Sequence, residues 1–323
     1  MKAAATALDP PVRIGVSACL LGENVRFDGG HKRDPFLVST FGRFVEWVSV
    51  CPEVELGLGT PRDTIRLERR AGAVRFVVPK QDRDLTDAMR SYSERRVEEI
   101  ARLELSGYVL KKDSPSCGIE RVRVYDGHGV PAKNGRGLFA EALLERLPEL
   151  PVEEEGRLGD AKLRENFIQR VFARHRLRAF LAGRWSVGNL VAFHTAHKLA
   201  LMAHSPEAYA RLGRLVARAK GVERAELART YTRELMAALS KPATPRRHAN
   251  ALHHILGHLS EQLAPAERAE MVSLIDDYRN GLLPLVVPLT LVRHHATRLS
   301  VSYLLGQVYL QPHPKELMLL NHV

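Results

Sequence analysis

Val12-Arg13-Ile14-Gly15-Val16-Ser17-Ala18-Cys19-Leu20-Leu21-Gly22 decides the reading of the first part of this chain. Val12, Ile14 and Val16 alternate with other residues, the period of a strand, and the run breaks just before Cys19. Gly22 to Asp34 contains Gly29-Gly30 and many polar residues and reads as a loop. Pro35 to Val48 has apolar Phe36, Leu37, Phe41, Phe44, Val45 and Val48 on helical spacing. Val48 to Cys51 and Val74 to Val78 are strand candidates, as are Tyr108 to Leu110 and Arg121 to Tyr125. Asp84 to Leu105 and Gly137 to Leu147 read as helices. This alternation predicts an α/β fold with a mostly parallel sheet and helices on its faces.

Pro148 to Gly156, with two prolines, an acidic run and a glycine, reads as a linker. It divides a first domain, residues 1–150, from a second, residues 157–323. The second reads as all-α. Ala161 to Leu181, Ser186 to Ala203, Pro206 to Lys220, Arg224 to Ser240, Pro245 to Leu263 and Pro265 to Gly281 are amphipathic, with Pro or Gly near the breaks. Val286 to Leu305 is more apolar, a buried final helix or two, interrupted by Pro288 and His294-His295. No apolar run approaches the ~18–20 residues that cross a bilayer. Met1 to Pro11 has one Lys and no sustained apolar stretch, unlike a secretory signal, so the cytoplasm is the expected location.

Charge is unevenly placed along the chain. Residues 1–150 carry 24 Lys+Arg against 22 Asp+Glu, and residues 151–323 carry 24 against 15. A basic second domain on a near-neutral first one suits a polyanion held by one domain and processed by the other, or simply a soluble arginine-rich surface.

Cys19, Cys51 and Cys117 are the only cysteines. An odd, sparse count argues against a disulfide framework. Their wide separation is unlike a zinc ribbon or ferredoxin run. Each follows a predicted strand. In a parallel α/β sheet the C-terminal strand ends gather on one edge, where ligands bind, so three distant thiols can converge there. Three thiolates can hold three irons of a cubane 4Fe-4S cluster, leaving the fourth open as a Lewis acid for a soft sulfur donor. On spacing alone, one reactive nucleophile with two bystanders stays open.

Cys19-Leu20-Leu21-Gly22, Arg26-Phe27-Asp28-Gly29-Gly30, Cys51-Pro52-Glu53, Pro61-Arg62, Ser114-Pro115-Ser116-Cys117-Gly118 and Gly135-Arg136-Gly137, in this order, resemble the thiouracil desulfidase family (TudS) over about residues 12–147. From about residue 166 the chain resembles the YbgA-like helical domain. That match rests on Phe193-His194-Thr195-Ala196-His197-Lys198, His204-Ser205-Pro206, Tyr209 and Leu212-Gly213-Arg214-Leu215-Val216-Ala217. The two joined in this order resemble the RudS-type tRNA 4-thiouridine desulfidases. The resemblance implies a 4Fe-4S cluster held by Cys19, Cys51 and Cys117, and non-redox removal of sulfur from 4-thiouridine in tRNA. It also implies that the helical domain helps bind the tRNA. Phe27 departs from the tyrosine usual in the family.

The resemblance supports Glu53 as acceptor of the proton from an attacking water, and Ser114 as a hydrogen-bond partner of that water or of the tetrahedral intermediate. Each also reads as an ordinary turn or helix cap. Arg26, Asp28, Gly29, Gly30, Lys32 and Arg62 fall in loops expected to rim the same edge as substrate contacts, or else as a solvated charged turn. Lys111 and Lys112 precede the cysteine loop, and the sequence does not choose between them. In the second domain, Arg211, Arg214 and Arg218 form one basic stripe that can follow a phosphate backbone, or a solvated face, and Lys198 joins them as a candidate RNA contact. Tyr209 suits base stacking or core packing. His194, His197 and His204 share roughly one face but lack a Glu or Cys partner, which favours RNA contact or structural hydrogen bonding over metal. Three other readings compete: a desulfidase of free thiouracil or thio-nucleotides, a non-catalytic iron–sulfur sensor binding nucleic acid, and a metal-free cysteine-nucleophile hydrolase.

Overall fold

A computed structural model describes residues 11–323, so residues 1–10 of the segment read above as carrying no signal lie outside the described residues. The chain divides into two compact units, one ending at Gly159 and one beginning at Asp160.

In the first unit, β1 (Arg13–Ser17) and β2 (Glu46–Val50) pair in parallel, Ser17 opposite Val50. On its other side β1 pairs in parallel with β6 (Gly107–Leu110), which pairs in parallel with β9 (Val152–Glu154). The order β2-β1-β6-β9 reverses direction at β1. A crevice therefore opens beyond the carboxyl end of β1, the usual ligand position in such sheets. Ile14 and Val16 are fully buried, as befits a central strand covered on both faces.

The remaining strands form a second sheet rather than extending the first. Its order is β5 (Arg83–Asp84), β4 (Ala73–Val78), β3 (Arg66–Arg70), β7 (Val122–Tyr125) and β8 (Pro131–Gly135), antiparallel except where β3 meets β7. The cause is local. Ala71 (φ 48°) and Gly72 (φ 80°) both take left-handed backbone between β3 and β4, the two-residue turn that joins antiparallel strands.

Two further expectations are corrected. The helix read over Pro35 to Val48 is only an irregular helical stretch, Phe36–Arg43, because Glu46–Val50 pairs residue by residue with β1 instead. Helical spacing there came from apolar residues belonging to two different elements. The segment read as a linker contributes β9, an edge strand of the parallel sheet.

Among the described residues the first unit has the helices α1 (Pro52–Glu55), α2 (Thr86–Arg102) and α3 (Leu138–Arg146). The second unit is helical, as expected: α4 (Ala161–Ala182), α5 (Val187–His204), α6 (Pro206–Ala217), α7 (Arg224–Ser240), α8 (Pro245–Leu259), α9 (Pro265–Arg279), α10 (Val286–Arg298) and α11 (Ser302–Leu305). Side-chain caps fix the starts: Asp160, Ser186, Ser205 and Thr244 each accept backbone N–H bonds from the first turn of α4, α5, α6 and α8. Among the described residues no helix is long and apolar enough to cross a membrane.

Candidate iron–sulfur site

Cys19 lies in a single helical turn directly after β1, and Cys51 is the N-cap of α1 directly after β2. Because β1 and β2 pair in parallel, both thiols come to the same edge. Cys117 arrives from the turn after β6, where the Gly118 N–H donates to the Ser114 carbonyl at 2.9 Å. All three cysteines line one cavity of about 460 Å³, with Glu53, Arg62, Ser114 and Lys111 among the other residues in its wall.

The Cys117 turn is braced by α3. Leu138, Phe139 and Ala140 at its start donate backbone N–H bonds to the carbonyls of Pro115 and Ser116, so the loop satisfies donors that a helix start leaves open. Only glycine allows this approach at position 137, since a Cβ there would lie 2.7 Å from the Cys117 nitrogen. Gly137→Ala is therefore expected to displace the Cys117 turn at a cost of about 1–3 kcal/mol. Thermal unfolding and iron content measured together should both fall.

Burial pushes all three thiols upward, Cys19 to about 11 and Cys117 well above its ordinary value. The thiols also act on one another by charge: Cys51 raises Cys19, and Cys19 and Cys51 both raise Cys117. Opposing them, Lys111 is the largest charge lowering Cys19, and the Ser17 hydroxyl hydrogen-bonds Cys117. Among the described residues no three His, Cys, Asp or Glu side chains converge on one single-ion position. A cluster distributes its ligands over separate irons, and a donor set of three soft thiols on one cavity suits that chemistry.

Glu53 faces the same cavity from α1. Its Oε2 accepts from Arg62 Nε at 3.0 Å and from Arg62 Nη2, and its Oε1 accepts from the Ser116 hydroxyl at 2.8 Å. Arg62 directs its other donors to the carbonyls of Val25 (3.0 Å) and Gly59 (2.8 Å), so its guanidinium is turned inward to orient Glu53. Ser114 Oγ accepts the Ser116 and Cys117 N–H bonds at 3.2 and 3.1 Å, which leaves its own proton to donate. Ser116 was missed as a polar contact of the carboxylate. The sequence signal was its place in the cysteine motif, but only the turn says which of the two serines faces Glu53.

The expected rim is partly formed. Arg26 and Lys32 line the cavity. Asp28 sits 3.6 Å from Arg26 and accepts the Gly30 N–H at 3.0 Å, the largest influence holding its carboxyl low. It therefore shapes the Gly29-Gly30 turn, where Gly29 has φ 74°. The Lys32 N–H donates to the Cys19 carbonyl at 2.9 Å, and the Arg62 N–H to the Phe27 carbonyl at 2.9 Å, tying the loop to the cysteine edge.

A second layer supports the site. Glu55 Oε1 accepts the Cys51 N–H at 3.2 Å, while its Oε2 is held by the Tyr92 hydroxyl (2.7 Å) and Arg96 (2.9 Å). At the end of β9, Glu154 accepts the Ile119 N–H, and just beyond it Glu155 accepts the Lys112 N–H, each at 2.7 Å, so adjacent carboxylates pin both ends of the Cys117 loop.

In the helical unit the RNA candidates stand on α5 and α6. Arg211, Arg214 and Arg218 are exposed and Lys198 is half-buried. Arg211 is paired with Glu234 at 3.2 Å. The histidines form buried bonds: His194 with the Tyr231 hydroxyl (3.1 Å), His197 with the Phe193 carbonyl (2.7 Å), and His204 with the Lys241 carbonyl (2.7 Å) and Gln169 (2.8 Å). Burial holds them at about 4, 3 and 4 respectively. They are neutral packing elements near neutral pH. Tyr209 packs half-buried against the apolar cores of this unit.

The sequence profile of the 2-thiouracil desulfurase family matches residues 14–155, which includes β9. That of the protein family of unknown function DUF1722 matches residues 198–314. The uncharacterized protein YbgA of Escherichia coli strain K12 is 32% identical over 152 residues, 47% of this chain and 90% of YbgA. A solved structure of the [4Fe-4S]-dependent thiouracil desulfidase TudS is 34% identical, covering 46% of this chain and 93% of that one, with a TM-score of 0.36. The chain belongs to the thiouracil desulfidase family through its first unit, which it joins to a YbgA-like DUF1722 domain.

Proposed function

We propose that the protein is a non-redox, 4Fe-4S-dependent desulfidase that converts 4-thiouridine in tRNA to uridine. The observation that carries the reading is that Cys19, Cys51 and Cys117, far apart in sequence, line one cavity with the Arg62-oriented carboxylate of Glu53. Cys19, Cys51 and Cys117 would hold the cluster. When bound, it would supply a Lewis-acidic iron suited to a thiocarbonyl sulfur.

The chain's own residues then have defined tasks. Glu53 accepts a proton from water as the water oxygen bonds the ring carbon. Arg62 and Ser116 fix the direction of its carboxylate. Ser114 donates to the water or to the oxygen of the tetrahedral intermediate. The carbon–sulfur bond breaks with its electron pair on sulfur, giving hydrosulfide, and the ring keeps the oxygen. Thiocarbonyl and water become carbonyl and hydrogen sulfide, so no electron acceptor is needed. A metal-free cysteine nucleophile is less well supported, because burial raises all three thiols and a thiol reacts as its thiolate. A sensor would not require Glu53 to be oriented as it is.

The half-exposed Phe27 ring on the cavity wall offers a face on which a base can stack. The tRNA rather than a free base is favoured by the excess of Lys+Arg over Asp+Glu after residue 150. The deciding experiment is anaerobic purification with a visible absorption spectrum, followed by sulfide release from thiolated tRNA and from the free thio-nucleotide. Absence of a cluster band refutes the chemistry. Release from the nucleotide alone, without tRNA binding, refutes the partner.

Replacing Arg211, Arg214 and Arg218 together is expected to weaken tRNA binding and flatten its salt dependence. Each lost phosphate contact removes roughly 0.7–0.9 from the slope of log affinity against log salt. Arg211 should account for the smallest share, since Glu234 already neutralises it. An unchanged slope in filter binding would return the stripe to a solvated face.

A further inference from the structure

We infer that Lys111, held by Glu155, forms an anion subsite for the hydrosulfide released in the reaction; this rests on the desulfidase reading above. Lys111 lines the cavity beside Cys19. Its ammonium donates to Glu155 Oε1 and to the Lys112 carbonyl at 3.1 Å, with only 14% of the Lys111 side chain and 11% of the Glu155 side chain exposed. The same Glu155 holds the Lys112 backbone N–H with its other oxygen. The Glu155 N–H in turn donates to the Leu110 carbonyl at 3.2 Å, which fixes the carboxylate against the end of β6.

The pair is oriented. Lys111 lines the cavity with Cys19 whereas Glu155, bonded to its ammonium, is not among the lining residues, so the positive member faces the cavity and the negative one lies behind it. Lys112 is not equivalent: it is exposed, and its stem lies against Gly156, where a Cβ would come 2.5 Å from the Lys112 Cδ. Glu53 offers the cavity only acceptor oxygens, both already taken up by Arg62 and Ser116, so it cannot hold a departing anion. Arg26 and Lys32 also line the cavity, from the rim loop, and Lys111 differs from them in that a mostly buried carboxylate holds it in place. A small anion in a partly buried site gains most from a charge already fixed in place. Glu155 acts through Lys111 and is a positioning residue.

The test is an anaerobic titration of the loaded, full-length protein with sodium sulfide, followed by visible absorption, with iron content measured in each variant. Lys111→Met is expected to weaken sulfide binding about ten- to a hundredfold at matched iron content, the range for losing a charge-assisted bond. Lys111→Arg should restore most of it, and Glu155→Gln, which keeps the lysine but frees it to move, should give a smaller loss. Glu155→Gln with Lys111→Arg decides the matter if Lys111→Met fails to load iron. Wild-type affinity in Lys111→Met or in Glu155→Gln, or no sulfide response in the wild type, overturns the subsite. So does a raised KM for thio-nucleotide with sulfide binding unchanged, which would make Lys111 a substrate phosphate contact. Failure of the desulfidase reading is recognised separately, by a loaded wild type that releases no sulfide from any thiolated uracil.

Discussion

Cys117→Ser is expected to abolish iron retention under anaerobic reconstitution, and Cys19→Ser and Cys51→Ser to do the same. There is no fourth cysteine to substitute for any of them. The chemistry is that of a soft ligand replaced by a hard, poorly ionised one. The three positions differ in what else they hold. Cys51 caps α1 and Cys19 sits in a short turn, whereas Cys117 is fully enclosed between the Ser114 turn and the start of α3. A serine at 117 fits that space, so Cys117→Ser should unfold near the wild-type temperature while holding no iron. Retention of iron and of the visible band in any one variant would remove that residue from the ligand set. Loss of folding in all three would instead point to packing.

Glu53→Gln is expected to keep the cluster and lose turnover on the order of 100- to 10,000-fold, the usual range for loss of a general base. The amide is the same size and can still accept from Ser116 through its oxygen. It cannot take a proton from water, and its NH₂ faces the donors of Arg62 if the oxygen is kept toward Ser116. The expected signature is therefore a fall in kcat at unchanged iron content. Ser116→Ala should give a smaller fall, because Arg62 still anchors the other carboxylate oxygen. Near-normal turnover of Glu53→Gln, with cluster content matched, would take Glu53 out of the reaction.

Much of this was legible from residues alone. The helices of the second unit carry their own punctuation: Pro206, Pro245 and Pro265 sit at first turns, and Ser186, Ser205 and Thr244 cap them. Local chemistry decides such boundaries, so a sequence suffices. The strand-then-cysteine pattern at Cys19 and Cys51 was equally plain, because parallel pairing sends consecutive strand ends to one edge whatever lies between them.

Other features had no local signal. Val152–Glu154 is acidic, follows a proline and scores poorly as a strand, yet it pairs with β6. The carboxylates of Glu154 and of Glu155 just after it are held by backbone N–H groups of the Cys117 loop, donors more than 30 residues away in sequence. Two sheets in place of one followed from a two-residue turn at Ala71-Gly72 whose left-handed backbone is available to many sequences but compulsory in none. The histidines of α5 looked like a shared face, but burial between α4, α7 and neighbouring carbonyls made them neutral hydrogen-bonding residues.

The sequence by itself determined the three thiols, the strands that precede them, and the helical character of the second unit, because each depends on residue type and short-range spacing. Only the tertiary structure decided which serine meets Glu53, that Arg62 turns inward to orient it, and that Glu155 holds Lys111 against the Cys19 side of the cavity. Those are relations between side chains brought together from separate strands and turns. Their energies depend on burial and direction, neither of which a one-dimensional pattern carries.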